Sequence, residues 1–270
     1  MKKFWRITKK ILVIASVAGC LTLFVITLTS AIQAQQELHC KSIVVQIDFE
    51  TGLSFINEKE IEDRINYLSG ESIIGRKITA IDFKTLENEI EKNPYVSNAE
   101  IFVDGSQSVH VSIQQKRPIL RVLNNDGVGY YISEDCERLP LHPTFTPHLA
   151  VAVGNVETGL VHRDSVVQAH LFSLINEIRK DDFLNSYIDQ IDVLANEKMD
   201  LLPKGSLHTI KLGRVDNQIS DKLSKLKVFY KEGLNKLGWD KYRTINLKYS
   251  NQVVCEKRET TVTTDSVSSN

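Results

Sequence analysis

Ile11 to Ile32 is a run of 22 residues (ILVIASVAGCLTLFVITLTSAI) without a charged side chain. As a helix rising about 1.5 Å per residue it spans roughly 30 Å, the thickness of a bilayer core. Residues 1–10 (MKKFWRITKK) carry Lys2, Lys3, Arg6, Lys9 and Lys10 and no acid. A basic flank of this kind predicts a cytoplasmic amino terminus, and Phe4 and Trp5 suit the interfacial belt. Everything after Ile32 is then expected outside the cytoplasm. The net charge of -1 hides this partition, because beyond Ile32 there are 28 basic groups against 34 acidic ones. An acidic outer body argues against a basic nucleic-acid binder. With 42% hydrophobic and 25% charged residues, the chain is neither disordered overall nor collagen-like.

The same residues fit two other readings. A cleaved signal peptide also has a basic start and an apolar run, but a shorter one of about 7–15 residues. Val17-Ala18-Gly19-Cys20 fits a lipoprotein signal with Cys20 lipidated, although Leu21 to Leu28 stays apolar where such a signal turns polar. The length of the run favours an uncleaved, single-pass anchor. Cys40, Cys136 and Cys255 lie far apart with no C-x-x-C spacing, so isolated packing residues and a single disulfide both remain open.

After a polar linker over 33–40, Ile43, Val45, Ile47 and Phe49 alternate with polar residues or Val44 and predict a half-buried strand. Asn57 with Glu60 is a capping signal for a helix carrying Ile61, Ile65 and Leu68. Asp82 opens a second helix with Phe83, Leu86 and Ile90 on one face. Asn93-Pro94 stops it, since proline disfavours helical geometry in the residue before it. Ala99 to Val103 and Val109 to Ile113 predict two strands around the Asp104-Gly105 turn. A second part begins near Lys116-Arg117-Pro118, with a hairpin at Asn124-Asn125-Asp126-Gly127. Residues 140–148 (PLHPTFTPH) carry three of the six prolines and predict an extended loop. Helices are predicted around Val167–Ile178 and Ile219–Tyr230, and short strands around 151–153, 188–193, 199–202 and 207–212. Ile245, Leu247 and Tyr249 alternate with Thr244, Asn246 and Lys248 in a late amphipathic strand. The Thr/Ser-rich end is expected to be a disordered tail.

Catalytic patterns are scarce. The seven histidines form no H-E-x-x-H. Ser224-Lys225-Leu226-Lys227 matches S-x-x-K, but the S-D-N and K-T-G companions of an anchored penicillin-binding enzyme are missing. Lys222, Lys225, Lys227, Lys231 and Lys236 are expected to form a solvated helical face. No catalytic, metal-binding or cofactor-binding residue is assigned, and no cofactor is expected.

The order strand, helix, helix, strand, strand resembles a POTRA domain, and the whole chain resembles the bacterial cell-division family FtsQ/DivIB. The residues that carry the likeness are Phe55-Ile56, Gly75, Asp82, Leu86, Ile90, Asn93-Pro94-Tyr95-Val96, Gln115-Lys116-Arg117-Pro118, Tyr130-Tyr131-Ile132 and Leu139-Pro140-Leu141. One departure is Asp135-Cys136-Glu137, where a glycine-containing turn is expected.

The resemblance implies an α+β chain: a basic tail (1–10), a transmembrane helix (11–32), a linker (33–40), a POTRA domain (41–116, β-α-α-β-β), a mostly antiparallel β domain with amphipathic helices (117–256) and a tail (257–270). It implies a non-enzymatic scaffold of the inner membrane at the division septum, with partners of the FtsB and FtsL type. The implied contact is the late strand, with Tyr242, Thr244, Ile245, Asn246, Leu247, Lys248 and Tyr249. Its backbone would pair with a partner strand, unless the strand is internal or capped. Asn93, Pro94, Tyr95, Val96, Arg117 and Pro118 are read as a structural or recruitment motif. Two alternatives are a POTRA-bearing protein of envelope assembly or secretion, and an anchored envelope hydrolase using Ser224.

Overall fold

The computed structural model describes residues 15–27, 29, 38–48, 52–156, 166–205 and 208–258. Residues 15–27 are helical, with Val17, Leu21, Leu23, Phe24, Val25 and Ile26 exposed. Among the described residues no helix is long and apolar enough to cross a membrane. The expected span Ile11–Ile32 runs past the described residues at both ends, and the tail 1–10 and residues 259–270 lie outside them. The chain divides into two compact units, Met1–Gln115 and Lys116–Asn270.

In the first unit, strand β1 (Ser42–Ile47) is followed by helices α1 (Glu58–Leu68) and α2 (Phe83–Ile90), then strands β2 (Val96–Val103) and β3 (Ser108–Gln115). The sheet order is β1-β3-β2, with β2 and β3 antiparallel and β1 parallel to β3. Alternation along β3 sends Val109, Val111 and Ile113 inward and leaves His110 and Ser112 half-buried on the other face. Asn57 starts α1 by accepting the Glu60 N–H at 2.9 Å, and Asp82 starts α2 by accepting the Thr85 N–H at 3.1 Å. Ile61 and Ile65 of α1 and Leu86 and Ile90 of α2 are the buried faces. The unit also takes up residues expected in the linker: the Leu38 carbonyl accepts from Ile78, and the Cys40 N–H donates to Arg76.

The second unit carries nine strands among the described residues. They are β4 (Pro118–Asn124), β5 (Gly129–Ser133), β6 (Arg138–Pro140), β7 (Val151–Gly154), β8 (Ile188–Val193), β9 (Lys198–Pro203), β10 (Thr209–Arg214), β11 (Tyr242–Asn246) and β12 (Val254–Lys257). Helices α3 (Val166–Arg179), α4 (Asp182–Tyr187) and α5 (Ile219–Val228) are interspersed. The order is β12-β11-β10-β9-β8-β7-β4-β5-β6. The expected antiparallel pairing dominates, but β4–β7, β7–β8 and β10–β11 are parallel. Parallel neighbours need long crossovers, and α3–α4 and α5 supply two of them.

Register aligns one row of side chains across all nine strands: Pro140, Tyr130, Val122, Ala152, Ile191, Leu201, Ile210, Ile245 and Cys255. From Tyr130 to Ile245 the row is at most 2% exposed. Leu171, Leu174, Ile175 and Ile178 of α3 and Ile219, Leu223 and Leu226 of α5 belong to the same core. Fully burying each such aliphatic side chain contributes about 1.5–3 kcal/mol relative to exposure.

Candidate functional site

The late strands are positioned by a crossover. After β10 the chain runs through α5, widens into a π-helical turn over Phe229–Leu234, closes with a last α-helical turn over Asn235–Leu237, and leaves the helix at Gly238 with φ 95. It then returns parallel to β10 as β11. Three lysines of this segment reach groups off the helix. Lys222 is 5% exposed, and its ammonium donates to the Arg214 carbonyl at 3.0 Å and to both oxygens of Asp216. Lys227 pairs with Asp181, the residue that caps α4. Lys225 donates to the carbonyls of Tyr249 and Ser250 at 2.8 and 2.7 Å, tying α5 to the β11–β12 loop. The expected solvated lysine face is therefore corrected: these three lysines hold elements together, because each stem crosses toward a carbonyl or carboxylate that the helix packs against. Ser224 is exposed on α5, and its S-x-x-K partner Lys227 is engaged with Asp181.

The residues expected to meet a partner are divided by this geometry. Ile245 and Leu247 are fully buried and Thr244 is 4% exposed. Tyr242 packs on the core with its ring 6.1 Å from that of Phe229. Asn246 accepts the Lys248 N–H at 3.1 Å, and the strand ends there, short of Lys248 and Tyr249. Leu247 still donates its N–H to Lys211 at 3.0 Å. β11 is not the last strand, since β10 lies on one side and β12 on the other. The expectation that Ile245 and Leu247 face a partner is corrected: alternation in a strand flanked on both sides turns them into the core.

The sheet edge is β12. Its pairing partners on β11 are Val254↔Asn246, Cys255↔Ile245, Glu256↔Thr244 and Lys257↔Tyr242. Glu256 also accepts from the Thr244 hydroxyl at 2.8 Å. The Arg258 N–H donates inward to Lys241 at 3.0 Å. Backbone groups alternate sides along an antiparallel strand, so Lys257 and Cys255 direct theirs outward. Among the described residues no strand pairs with that side. The opposite edge is β6, which is short and ends on Pro140, a residue that blunts edges. β12 ends at Lys257.

Beside this edge lies an apolar groove of about 560 Å³, lined by Val228, Phe229 and Gly233 of the helical segment and by Val253, with Lys225 and Glu232 also on its walls. Val228 is 60% exposed. Sequence reading missed both β12 and this groove. The run Val253-Val254-Cys255 carried a short strand signal, whereas the groove depends on the π-helical turn, which has no pattern of its own.

The Asn93-Pro94-Tyr95-Val96 motif is built into the fold of the first unit. Asn93 accepts the Tyr95 N–H through its side chain and the Val96 N–H through its carbonyl, each at 3.0 Å. Tyr95 stacks on Phe55 at 4.8 Å, and Val96 is 2% exposed. Pro94 remains exposed. Gln115 accepts the Phe55 N–H at 3.1 Å and donates to the Asp48 and Leu53 carbonyls, closing the loop before α1. In the second unit Arg117 is exposed, with its carbonyl accepting from Glu134, and Pro118 opens β4.

The four cysteines are free thiols. Burial raises the pKa of Cys40, Cys136 and Cys255, which keeps them protonated and poorly nucleophilic. Among the described residues no cluster of His, Cys, Asp and Glu is arranged to hold a metal ion.

Residues 117–256 match the family described as FtsQ/DivIB, C-terminal related, and residues 38–114 match a POTRA-like domain. No curated protein matches the chain.

Proposed function

The chain belongs to the FtsQ/DivIB family, and we propose that it is a membrane-anchored division scaffold that captures FtsB-type and FtsL-type partners by strand addition along β12. The family is one of non-enzymatic division scaffolds. The observation that carries the reading is the outer side of β12, which no strand among the described residues pairs with and which is four residues long and free of proline. Main-chain groups of Cys255 and Lys257 supply the bonds, a recognition mode that exposed sheet edges allow. Ile245 and Leu247 act beneath it, by holding the edge in place.

Anchorage is supported by the exposed apolar side chains of residues 15–27. In that segment Thr22 and Thr27 donate their hydroxyls to the Gly19 and Phe24 carbonyls, each at 2.9 Å, which hides polar groups from an apolar surround. The POTRA-like unit then stands outside the cytoplasm as a recruitment module.

The test is fluorescence localisation of the tagged full-length protein in dividing cells, together with the variant Lys257→Pro. Proline removes one outward N–H and is tolerated on an edge strand. Collection at midcell, with loss of co-purifying FtsB-type partner in the variant, is the expected result. Uniform envelope fluorescence overturns the division role, and undiminished partner capture overturns strand addition.

A further inference from the structure

The inner row of the nine-stranded sheet ends unfinished. Ile245 is fully buried, but its neighbour Cys255 is only partly buried, and nothing among the described residues continues the row past it. Val253 and Cys255, two residues apart, both pack against the core from this side. Directly beside Val253 the groove opens between the β11–β12 loop and the π-helical turn. Its walls are held by two independent devices. Lys225 fixes the loop through the Tyr249 and Ser250 carbonyls. Gly233 allows the close approach of Phe229, whose ring atoms would lie 3.0 and 3.1 Å from any added Cβ.

We propose that the groove lined by Val228, Phe229 and Val253 is the specificity pocket of the β12 edge, taking apolar side chains of the added strand that continue the Ile245–Cys255 row. This rests on the strand-addition reading above. A strand added to β12 presents alternate side chains to the two faces of the sheet. On the helix-covered face, the residue opposite Cys255 meets the end of the apolar row, and the residue two places nearer Val253 meets the groove. The chemistry required is therefore an extended segment with apolar residues at every second position. Its intervening positions face Val254 and Glu256 and tolerate polar side chains. Backbone pairing alone is indifferent to sequence, and this groove makes the edge selective.

The experiment measures affinity between the full-length chain in detergent and its co-expressed FtsB-type partner, with Val228→Glu, Val228→Ile and Lys257→Pro compared with the parent. Val228 is exposed on α5, so the fold is expected to survive, and circular dichroism checks it. The expected result is a tenfold or greater weakening in Val228→Glu, near-parental binding in Val228→Ile, and loss in Lys257→Pro. A scan of the partner strand with aspartate should give sensitivity at every second residue. If Val228→Glu binds like the parent while Lys257→Pro does not, the groove proposal is overturned and strand addition stands. If Lys257→Pro also binds like the parent, the strand-addition reading fails and takes the pocket with it.

Discussion

Ile245 and Cys255 are direct register partners across β11 and β12, and burial falls from complete at the first to partial at the second. The boundary between the filled core and the sheet edge therefore runs between these two residues. It separates two kinds of mutation. Ile245→Ala removes core volume, and a buried isoleucine truncated to alanine costs about 2–5 kcal/mol. Denaturant unfolding of the purified chain is expected to show this loss. An unchanged unfolding midpoint would place Ile245 at the surface after all.

Lys225 is expected to govern the order of the β11–β12 loop. Hydrogen bonds to a charged group contribute about 1.5–3 kcal/mol each where they are well shielded, and exposure at this site reduces that contribution. Lys225→Met keeps much of the stem and removes both donors. Amide hydrogen exchange should speed up over residues 249–255 while α5 itself stays protected. Unaltered exchange in the loop would show that the two carbonyl contacts do not restrain it.

Local rules carried much of the fold. Asn57, Asp82 and Asn93-Pro94 each act through neighbours within four residues, so their effects were legible from spacing. A period-two pattern found the strand around Val109–Ile113 for the same reason. What was not legible depended on contacts distant in sequence. Nothing in the spacing of Lys222, Lys225 and Lys227 tells a solvated lysine from one reaching Asp216, Tyr249 or Asp181. The late strand was read with the right alternation and the wrong neighbour, because four residues of β12 decide which strand is the edge. The parallel pairs escaped notice because pairing direction is set by crossovers, not by the strands' own patterns.

Cys136 resolves the departure noted at Asp135-Cys136-Glu137. It takes φ 62, the left-handed region that glycine adopts without steric penalty. The turn is held instead by Ser133, whose hydroxyl accepts the N–H groups of Asp135 and Glu137, and by Gln168, which donates to the Cys136 carbonyl at 2.9 Å. A left-handed residue with a Cβ costs roughly 1–2 kcal/mol, and glycine returns part of that through its flexible unfolded state. Cys136→Gly is expected to raise the melting temperature slightly, and Cys136→Val to lower it by more, because a β-branched side chain fits this region worst. Thermal melts of the two variants against the parent decide the sign.

The pH dependence of stability should be led by His208. It is 3% exposed, and its Nε2 lies 2.7 Å from the Tyr230 hydroxyl in a box that includes Tyr187. Burial lowers its pKa, and the positive charge of Arg258 lowers it further. Tyr230 is pushed far up by the same burial and stays neutral. A base whose folded pKa is depressed stabilises the fold fully above its unfolded value, and that contribution is lost as pH falls through the folded value. Because the unfolded imidazole titrates near about 6.5, stability should decline from about pH 7 downward. Asp181 and Asp216 are lowered, so their contribution is lost at more acidic pH, as pH falls from the usual carboxylate range through their folded values. Asp200 is raised by burial and acts with the opposite sign, its protonation favouring the fold. The variant His208→Gln keeps a polar side chain in the box and cannot titrate. Urea unfolding between about pH 7.5 and about pH 5.5 should give a flatter profile for this variant than for the parent. Parallel profiles would mean that another group controls the acid limb.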